Sequence, residues 1–340
     1  MTSKGPTIKD IALRAGVSYS TVSRALNDKK GVKPSVRDYI YRIARDLEYA
    51  PHSSAKALVQ KRVGMIGVII PRTNEFAFQN PFYSHILLGL GNVANERGFH
   101  LMLCVNEPGE YTDLYHRRLV DGIVVVANRI DDRKAIKLAD KHVPAVLIPG
   151  FGQESDRDLP SVNSENSLSF YRAVQYLISL GHRRIAFILG KMNSLYSIER
   201  LAAYRRALRE ADLPYDPAYI VESDFSKIDG YRLMGHLLDL SVPPTCVICI
   251  NDSVTPGALR QILSRGLRIP EDISVLAIGC SDMYELLNPP LTAIKTPVVQ
   301  VGETAAKVLI QIIEQGECPD KHIILPSDLI VRESTTRCPV

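Results

Sequence analysis

The chain contains 340 residues, of which 46% are hydrophobic and 23% are charged, and its formal net charge is +4. This composition is typical of a globular protein and argues against disorder, and the length is sufficient for two or three domains. The longest apolar runs, such as residues 66–70 and 123–127, fall well short of the roughly 18 residues that a membrane-spanning helix needs. The N-terminal residues lack the apolar core of a signal peptide, which predicts a cytoplasmic protein, and the six cysteines are expected to be free thiols.

The charge is unevenly distributed along the chain. Residues 1–62 carry 13 lysines and arginines against 5 aspartates and glutamates, whereas the rest of the chain carries 28 basic and 32 acidic side chains. A basic segment on a mildly acidic body predicts that one end of the protein meets a polyanion. Charge alone does not distinguish nucleic acid from an anionic membrane, so the pattern within the basic segment has to decide.

Residues 7–27 have the pattern of two short helices joined by a tight turn. Thr7 followed by Asp10 is typical of a helix N-terminus, and apolar residues then recur at helical spacing up to Gly16, which ends the first helix. Ser18 is a suitable cap for a second helix, whose apolar residues would face inward. Two short helices with this connection predict a helix-turn-helix.

The outward face of the second helix carries hydrogen-bonding side chains and no acid: Tyr19, Ser20, Ser23, Arg24 and Asn27. A helix fits the DNA major groove, where an arginine can bind a guanine edge and Ser or Asn can bind bases or phosphates. The alternative is an ordinary solvated helix face, which would usually include acidic residues. Together with the turn, the caps and the local charge, this face favours a helix that reads base sequence.

A third helix is predicted for residues 34–47 and would close the core of this domain. Pro51 ends it, and residues 51–62 form an Ala-rich, basic segment with a single leucine, Leu58. Such a segment is too short to be helical alone in water. It can fold on DNA with Leu58 wedged between base steps in the minor groove, or it can be a plain interdomain linker, and the residue types leave both open.

This part of the chain resembles the lactose/galactose repressor (LacI/GalR) family of bacterial transcription regulators. The resemblance implies that Tyr19, Ser20 and Arg24 read the operator, and that the hinge segment folds on it with Leu58 in the minor groove. It rests on Ile-Lys-Asp-Ile-Ala at residues 8–12, Ala-Gly-Val-Ser at 15–18, Thr-Val-Ser-Arg-Ala-Leu-Asn at 21–27, Tyr-Ala-Pro at 49–51 and the Ala-Lys-Ala-Leu segment at 55–58.

The start of the third helix departs from the family pattern. The family usually offers hydroxyls to phosphate there, whereas this chain has Lys33 and Val36. Lys33 would replace a hydroxyl with a charge and so keep the affinity while making it more dependent on salt. The candidate DNA-contacting residues are Thr7, Ser18, Tyr19, Ser20, Thr21, Ser23, Arg24, Asn27, Lys33, Tyr49, His52, Ala55 and Leu58.

From residue 63 onward, short runs of β-branched residues alternate with helical segments. This alternation predicts an α/β fold with parallel sheets covered by helices on both faces. About a dozen strands are too many for one sheet of this length, so two doubly wound lobes with a cleft between them fit better. The predicted strands are 63–70, 100–105, 122–127, 145–148, 184–189, 219–222, 246–250 and 274–278, and the predicted longer helices are 82–97, 132–141, 166–180, 198–211, 230–240 and 254–265.

The family resemblance extends through this region and covers essentially the whole chain. The matching segments include Asn-Pro-Phe-Tyr at 80–83, Leu-Gly-His-Arg-Arg-Ile-Ala at 180–186 and Asn-Asp at 251–252, each weak alone but specific in their order. They imply a periplasmic-binding-protein-like body that binds a small effector between its lobes and forms a homodimer. The predicted domains are a helix-turn-helix head at 1–50, a hinge at 51–62 and an effector-binding and dimerisation domain of two interleaved lobes at 63–340.

Candidate effector-binding residues follow from the strand ends and from the resemblance. From residue types alone Arg200 is more simply a surface arginine, whereas the resemblance places it in the cleft toward effector oxygens. Asp252 is expected to cap the helix after its strand while Asn251 faces the cleft, at the carboxyl end where open α/β sheets bind ligands. Of the two aromatic candidates, one is expected in the core and the other against the ligand. The candidates are Phe82, Tyr83, Arg200, Asn251, Ser281 and Asp282.

Two departures from the family concern the effector. Gly279 stands where the family commonly has an aspartate that binds ligand hydroxyls, and the strand at 145–148 leads to Pro149 where a polar residue is frequent. Each missing partner would cost a buried neutral sugar on the order of 1 kcal/mol. We therefore hypothesise a less hydroxyl-rich or more anionic effector with Arg200 as its main charge partner, unless Ser281 or Asp282 restores sugar recognition. Sugars, sugar derivatives and nucleosides all stay open as effectors.

Enzyme motifs are weak or missing in this sequence. Cys246 and Cys249 are three residues apart on an apolar strand and so face opposite sides, which favours core packing over a metal or redox pair. His182 precedes a strand and is expected to be structural. We predict no catalytic residue, metal or other cofactor.

The sequence therefore favours a transcriptional regulator, specifically a repressor, controlled by a small molecule. Paired heads on a two-fold homodimer would read a near-palindromic operator in duplex DNA, without membrane association. No heptad pattern follows residue 332, which favours a dimer over a tetramer. The alternative is a solute-binding protein without a DNA function, and an enzyme is a distant third.

Overall fold

The computed structural model describes residues 6–26, 29–49, 62–127, 129–149, 159–318 and 320–338. The chain divides into two compact units, Met1–Val63 and Gly64–Val340, which we call the head and the body. Several predicted features lie outside the described residues: Asn27, His52, Ala55, Leu58 and the hinge segment up to residue 61.

The head consists of helices α1 (Ile8–Ala15), α2 (Tyr19–Leu26) and α3 (Pro34–Asp46). α1 ends at Gly16, whose φ of +65° lies in the left-handed region that favours glycine. The prediction of a helix-turn-helix closed by a third helix is confirmed, and α3 ends one residue earlier than predicted. The buried core of the head comprises Ile11, Val22, Ala25, Ile40, Ile43 and Ala44.

Both predicted helix starts in the head carry the expected side-chain hydrogen bonds. The backbone N–H and the hydroxyl of Thr7 each donate a hydrogen bond of 2.7 Å to the Asp10 carboxylate. The Ser18 hydroxyl accepts a hydrogen bond of 3.1 Å from the backbone N–H of Thr21. Because such bonds fix where a helix begins, they also fix which residues of α2 face outward.

The body alternates strands and helices along its described length. In chain order its strands are β1 (Met65–Ile70), β2 (His100–Val105), β3 (Gly122–Val126), β4 (Ala145–Ile148), β5 (Ser161–Ser164), β6 (Ile185–Leu189), β7 (Ile220–Glu222), β8 (Cys246–Cys249), β9 (Ser274–Gly279), β10 (Thr292–Lys295), β11 (His322–Leu325) and β12 (Asp328–Ile330). Its α-helices are α4 (Asn74–Gln79), α5 (Pro81–Glu96), α6 (Tyr111–His116), α7 (Arg133–Asp140), α8 (Ser167–Ser179), α9 (Leu195–Glu210), α10 (Lys227–Leu238), α11 (Val254–Ser264), α12 (Met283–Leu286) and α13 (Val298–Gln315).

The strands form two six-stranded sheets, one in each lobe. The first sheet has the order β11-β5-β4-β3-β1-β2, and its pairings are parallel. The second has the order β12-β10-β9-β8-β6-β7, with β12 antiparallel to β10 and the other pairings parallel. All residues of β3 and β8 are buried, which explains why their sequences are apolar on both faces. The prediction of two doubly wound lobes is confirmed.

The chain passes between the two lobes more than once. It builds β1–β5 of the first sheet, then β6–β10 of the second, returns to the first sheet with β11 and ends in the second with β12. α13, which precedes β11, packs against α5 of the first lobe. The sequence predicted none of the elements after residue 278, nor β5 and α4. β5 is mostly polar, and Ser161 on it lies 3.0 Å from the His322 ring on β11.

Two predictions of structural rather than chemical roles can be compared with the fold. Cys246 and Cys249 are buried side chains of β8, and all six cysteines are free. His182 is fully buried: Nε2 donates to the Thr336 carbonyl at 3.0 Å, and Nδ1 lies 2.9 Å from the Thr245 hydroxyl. This burial lowers the pKa of His182. A neutral histidine bonded on both sides holds the C-terminal segment against the second sheet.

Candidate nucleic-acid interface and ligand pocket

The head presents a polar helix face to solvent. Tyr19 has 55% of its surface exposed, Ser20 and Arg24 are also exposed, and Ser23 is half-buried. The opposite face of α2 is packed into the core of the head. The structure therefore places these four predicted side chains on one face of one helix, where a major groove can accept them.

A small network of hydroxyl groups holds the start of α2. The Ser18 hydroxyl lies 2.8 Å from the hydroxyls of both Ser20 and Thr21, in addition to its bond with the backbone of Thr21. Ser18 and Thr21 thus orient the first turn of the helix. Ser20 is held by the same network next to the outward face.

The other predicted contact residues of the head lie at helix boundaries. Thr7 and Lys33 are exposed and directly precede α1 and α3, and helix N-termini are favourable positions for phosphate groups. Tyr49 is half-buried against the core of the head, and burial raises its pKa. The structure therefore leaves Thr7 and Lys33 accessible to a partner, whereas part of Tyr49 serves packing.

The body contains a pocket at the carboxyl ends of strands from both sheets. Its lining includes Ala127 after β3, Ser164 at the end of β5, Asn251 after β8, Gly279 at the end of β9 and Thr296 after β10. Ligands bind at this edge of open α/β sheets because the chain turns away there and leaves a crevice. The pocket therefore lies where the two-lobed fold predicts a ligand.

Arg200 is a buried residue of this pocket rather than a surface arginine. It is 6% exposed, and its Nη2 donates a hydrogen bond of 2.6 Å to the side-chain oxygen of Asn166. Its guanidinium also lies 5.6 Å from the centre of the Tyr196 ring. Burial lowers the pKa of Arg200 to about 10, so the group is still a cation at neutral pH.

Asn251 and Asp252 both line the pocket, and the capping role expected of Asp252 belongs to Asn251. The side-chain oxygen of Asn251 accepts hydrogen bonds from the backbone N–H groups of Ser253 and Val254, at 3.1 and 2.8 Å, and so caps α11. The Asp252 carboxylate instead accepts from the backbone N–H groups of Cys280 and Ser281, at 3.1 and 3.2 Å. The prediction that Asp252 caps the helix is therefore wrong, because the turn after β8 directs the first of the two side chains toward the helix start.

Asp252 also accounts for the glycine at position 279. A Cβ atom on Gly279 would overlap the Asp252 carboxylate, so a larger residue cannot stand there while Asp252 binds the backbone beyond it. Both residues line the pocket. The acidic group at this edge of the pocket is thus supplied by the neighbouring strand end.

Ser281 and Asp282 do not reach the pocket. Neither is among its lining residues, and the Asp282 carboxylate is exposed, 3.0 Å from the Lys295 ammonium group. The Ser281 hydroxyl accepts a hydrogen bond of 3.1 Å from the backbone of Met283. The prediction that they meet an effector is not supported by their positions, because the chain leaves the edge of the sheet directly after Cys280.

Phe82 and Tyr83 both line the pocket, and they differ in burial as expected for one core ring and one more open ring. Tyr83 is 3% exposed, and burial raises its pKa to about 12, whereas Phe82 is half-buried. Their rings meet edge to face at 5.3 Å between centroids. Phe82 therefore offers the more accessible ring to a ligand.

Several further lining residues were not expected from the sequence, Arg72, Ser197 and Phe225 among them. Arg72 follows β1, Ser197 lies in the first turn of α9, and Phe225 precedes α10. None belongs to a recognisable motif. The only signal in the sequence is that Arg72 and Phe225 each lie just beyond a strand end.

A helix-turn-helix head joined to a two-lobed body with a ligand pocket defines a ligand-responsive DNA-binding protein. Comparison with known proteins gives the family. Residues 7–52 match the pattern of bacterial regulatory proteins of the lacI family, and residues 174–335 match that of a periplasmic binding protein-like domain.

Similar proteins match over nearly the whole chain. The HTH-type transcriptional regulator CelR of Thermobifida fusca is 32% identical over 337 residues, covering 97% of this chain and 98% of the relative. The HTH-type transcriptional repressor CytR of Escherichia coli (strain K12) is 31% identical over 338 residues, covering 98% and 97%. Among solved structures, the Lac repressor dimer bound to operator and the anti-inducer ONPF superposes with a TM-score of 0.86 at 27% identity, covering 98% of this chain and 100% of that one.

The chain belongs to the lacI family of bacterial regulatory proteins. It is accordingly a DNA-binding transcriptional regulator controlled by a small molecule, not an enzyme, and a solute-binding protein without a DNA function is not supported. Among the described residues, no group of three or more His, Cys, Asp or Glu side chains could hold a metal ion. In the same part of the chain, none of the helices has the length and apolarity needed to cross a bilayer.

Proposed function

We propose that the protein is a repressor that binds a near-palindromic operator through the α2 helices of two heads, as a homodimer assembled through the body. The observation that carries this proposal is the exposed face of α2, which offers hydrogen-bonding groups and no acid. Arg24 and Tyr19 would contact base edges, and Lys33 and the start of α1 would contact phosphates. The Lac repressor, whose structure superposes on this chain, has been solved as a dimer bound to operator, which supports a dimeric DNA-binding form for this fold.

The proposed domain boundaries follow the same division. Residues 1–50 form the DNA-reading domain, 51–62 a hinge that reaches the operator, and 63–340 the effector-binding and dimerisation domain. The strong positive charge of residues 1–62 supports their role at DNA. Since the target is genomic DNA, we place the protein in the cytoplasm.

The effector is proposed to occupy the pocket of the body, in contact with Arg200, Asn251 and Phe82, while Tyr83 forms the wall behind them. A ligand that binds one arrangement of the two lobes better than another shifts the population of the state that grips DNA. The relative CelR has been solved in complex with cellobiose, which supports a small-molecule effector for this fold.

The test starts by selecting operator sequences from random duplexes with the full-length protein. Arg24→Ala should weaken binding to the selected duplex by roughly 1–3 kcal/mol and relax the preference at one base position in each half-site. Lys33→Ala should weaken binding to selected and unselected duplexes about equally. It should also make the slope of log affinity against log salt concentration less steep by about one, the contribution of one phosphate contact. Arg45→Ala removes an exposed arginine from the other end of α3 and serves as the control.

The outcomes separate base reading from simple charge attraction. If Arg24→Ala and Lys33→Ala change affinity and preference in the same way, α2 does not read the operator. If no sequence is enriched and binding depends only on salt, the repressor proposal fails as a whole. Enrichment of a single half-site instead of a two-fold repeat would contradict the paired heads.

A further inference from the structure

The first turn of α9 forms one wall of the pocket and holds a hydroxyl without a partner. Ser197 is 1% exposed, lines the pocket, and its Oγ has no hydrogen-bond partner in the described structure. An unsatisfied buried polar atom is unfavourable unless something else binds it. This hydroxyl is therefore a position that a bound ligand can complete.

Arg200 lies one helical turn beyond Ser197, on the same side of α9. It is buried, and its one hydrogen bond among the described residues goes to the neutral side chain of Asn166. The carboxylates of Glu199 and Glu165 also interact electrostatically with the guanidinium, but neither lies within ion-pair distance of it. A guanidinium group has five N–H donors, so most of its hydrogen-bonding capacity is unused. A desolvated cation in this situation gains most from a negatively charged partner.

The N-terminus of α9 adds a second source of positive potential to the pocket wall that holds Arg200. The helix has 16 residues and begins after Ser194, which also lines the pocket. The first N–H groups of a helix lack partners within the helix and carry the positive end of its dipole, so anions are stabilised there. Ser197, Arg200 and the start of α9 thus converge from one wall of the pocket.

The acceptor groups of the pocket are, in contrast, largely engaged. The side-chain oxygen of Asn80 accepts from the backbone of Phe82 at 3.1 Å, that of Asn251 caps α11, and the Asp252 carboxylate binds two backbone N–H groups. A neutral sugar needs acceptors for its hydroxyl protons as well as donors for its oxygens. The lining therefore suits a ligand that is richer in acceptors than in donors.

A second, open cavity shares Arg72, Phe76, Ser194 and Phe225 with the pocket. It is lined by five basic and three acidic side chains. A cleft with an excess of one charge attracts ligands of the opposite charge toward it. The approach to the pocket is therefore also favourable to anions.

We propose that the effector is a small organic anion whose carboxylate or phosphate group is bound by the N-terminus of α9, Ser197 and Arg200. This inference rests on the proposed role of the pocket as the effector site. The rings of Phe76, Phe82 and Phe225 line the remainder of the pocket and would contact the less polar part of the ligand.

The experiment uses the full-length protein and two simple probes, sulfate for a phosphate group and acetate for a carboxylate. The Tm is measured against probe concentration at constant ionic strength, with chloride as the balancing anion. The wild type should show a saturable rise in Tm with at least one of the two probes, and the stronger one identifies the group. Arg200→Gln should raise the half-saturating concentration by about tenfold or more. The matched control Arg209→Gln removes an exposed arginine at the other end of α9 and should behave as the wild type.

Ser197→Ala keeps the test informative if Arg200→Gln does not fold. It removes an oxygen that bonds nothing in the described structure, so the ligand-free Tm should be equal to or higher than that of the wild type, while the response to the probe weakens. A wild type without saturable stabilisation by either probe, or variants that respond as the wild type does, would overturn the proposal. A mobility shift with a selected operator, run on the same samples without probe, tests the proposed function separately, because none of these substitutions lies in the head.

Discussion

In the head, Tyr19, Ser20 and Arg24 lie on a helix face that points away from the core, whereas in the body Ser197 and Arg200 are buried in the wall of the pocket. The head can therefore exchange its contact residues at little cost to its own stability. In the body, replacing Arg200 would also remove a buried side chain and its hydrogen bond to Asn166. Evolution of a new operator preference and of a new effector thus face different constraints.

The two regions also differ in how closely their backbones pack. At Gly16, where α1 ends, an added Cβ would meet no atom within 4 Å. In the body, Gly257 on α11 packs directly against the backbone of α10, and Gly89 on α5 packs against α13. Two helix pairs of the body are therefore packed with their backbones in direct contact, and these positions accept only glycine without movement of the helices.

The largest effect is expected from Ile40→Ala, which tests whether the small core of the head stands by itself. Ile40 is fully buried, and truncation to Ala typically costs roughly 2–5 kcal/mol. DNA binding should be lost, and calorimetry should show an unchanged transition of the body. Tyr39→Ala, at a half-exposed neighbour, should bind DNA with less than about 0.5 kcal/mol change in stability. If the unfolding temperature of the body fell as much as that of the head, the two regions would not be independent in stability.

Gly257→Ala should lower the free energy of unfolding of the body by roughly 1–3 kcal/mol. It should leave the intrinsic DNA affinity of the head unchanged. The new methyl group would overlap the carbonyl oxygen of Lys227 and lie 2.7 Å from the backbone nitrogen of Tyr231, so α10 and α11 would have to separate. Thermal denaturation followed by circular dichroism measures the shift. Gly91→Ala is the control: its nearest contact would be an ordinary 3.9 Å, and Ala is the better helix former, so stability should rise. A loss of stability in both variants would contradict the packing argument.

Asn251→Ala should cost about 1 kcal/mol of stability, because it removes the acceptor that caps α11. The same variant should weaken effector binding, which would sharpen the coupling of folding and function in the body. Asn251→Asp retains the acceptor and should be close to the wild type in stability. Chemical denaturation of the three proteins measures the difference. An equal loss of stability in both variants would show that removal of the helix cap does not cause the loss in Asn251→Ala.

The smallest effect concerns acid pH. Burial lowers the pKa of His182 below its ordinary 6.5, so the unfolded chain takes up this proton more readily than the folded one. The contribution of His182 is therefore intact above about pH 6.5 and is lost progressively as the pH falls below that value. His182→Gln should flatten the decline of Tm between about pH 6.5 and 5, while the exposed His116→Gln should not. An unchanged slope for His182→Gln would contradict the assignment.

Local patterns in the sequence were enough to predict the head and the alternation of the body. Helix boundaries are recognisable from the capping side chains of Thr7 and Ser18 and from Gly16. A continuous apolar run such as β3 predicts a strand that is buried on both faces. These signals are local, so one sequence suffices. The polar strand β5 gives no such signal, since Ser161 and Ser164 are buried through contacts that only the assembled sheet provides.

The pocket was predicted only in part, for the same reason. Asn251 and Asp252 have similar capping preferences, and the turn after β8 decides which one reaches the helix. Ser197 looks like any helical serine until the pocket around it is formed. Arg72 and Arg200 come to the same cavity from opposite lobes, and no local pattern reports such a meeting.

The interleaved path of the chain has a consequence for protein synthesis. Both sheets receive an edge strand from residues 322–330, β11 and β12, so neither lobe is complete until the ribosome has passed this segment. The head, in contrast, has all of its core residues by Ala44. We therefore expect chains that terminate before β11 to have a folded head and an incompletely folded body. Such chains could still bind DNA without a response to the effector, so their prompt proteolysis would matter to the cell.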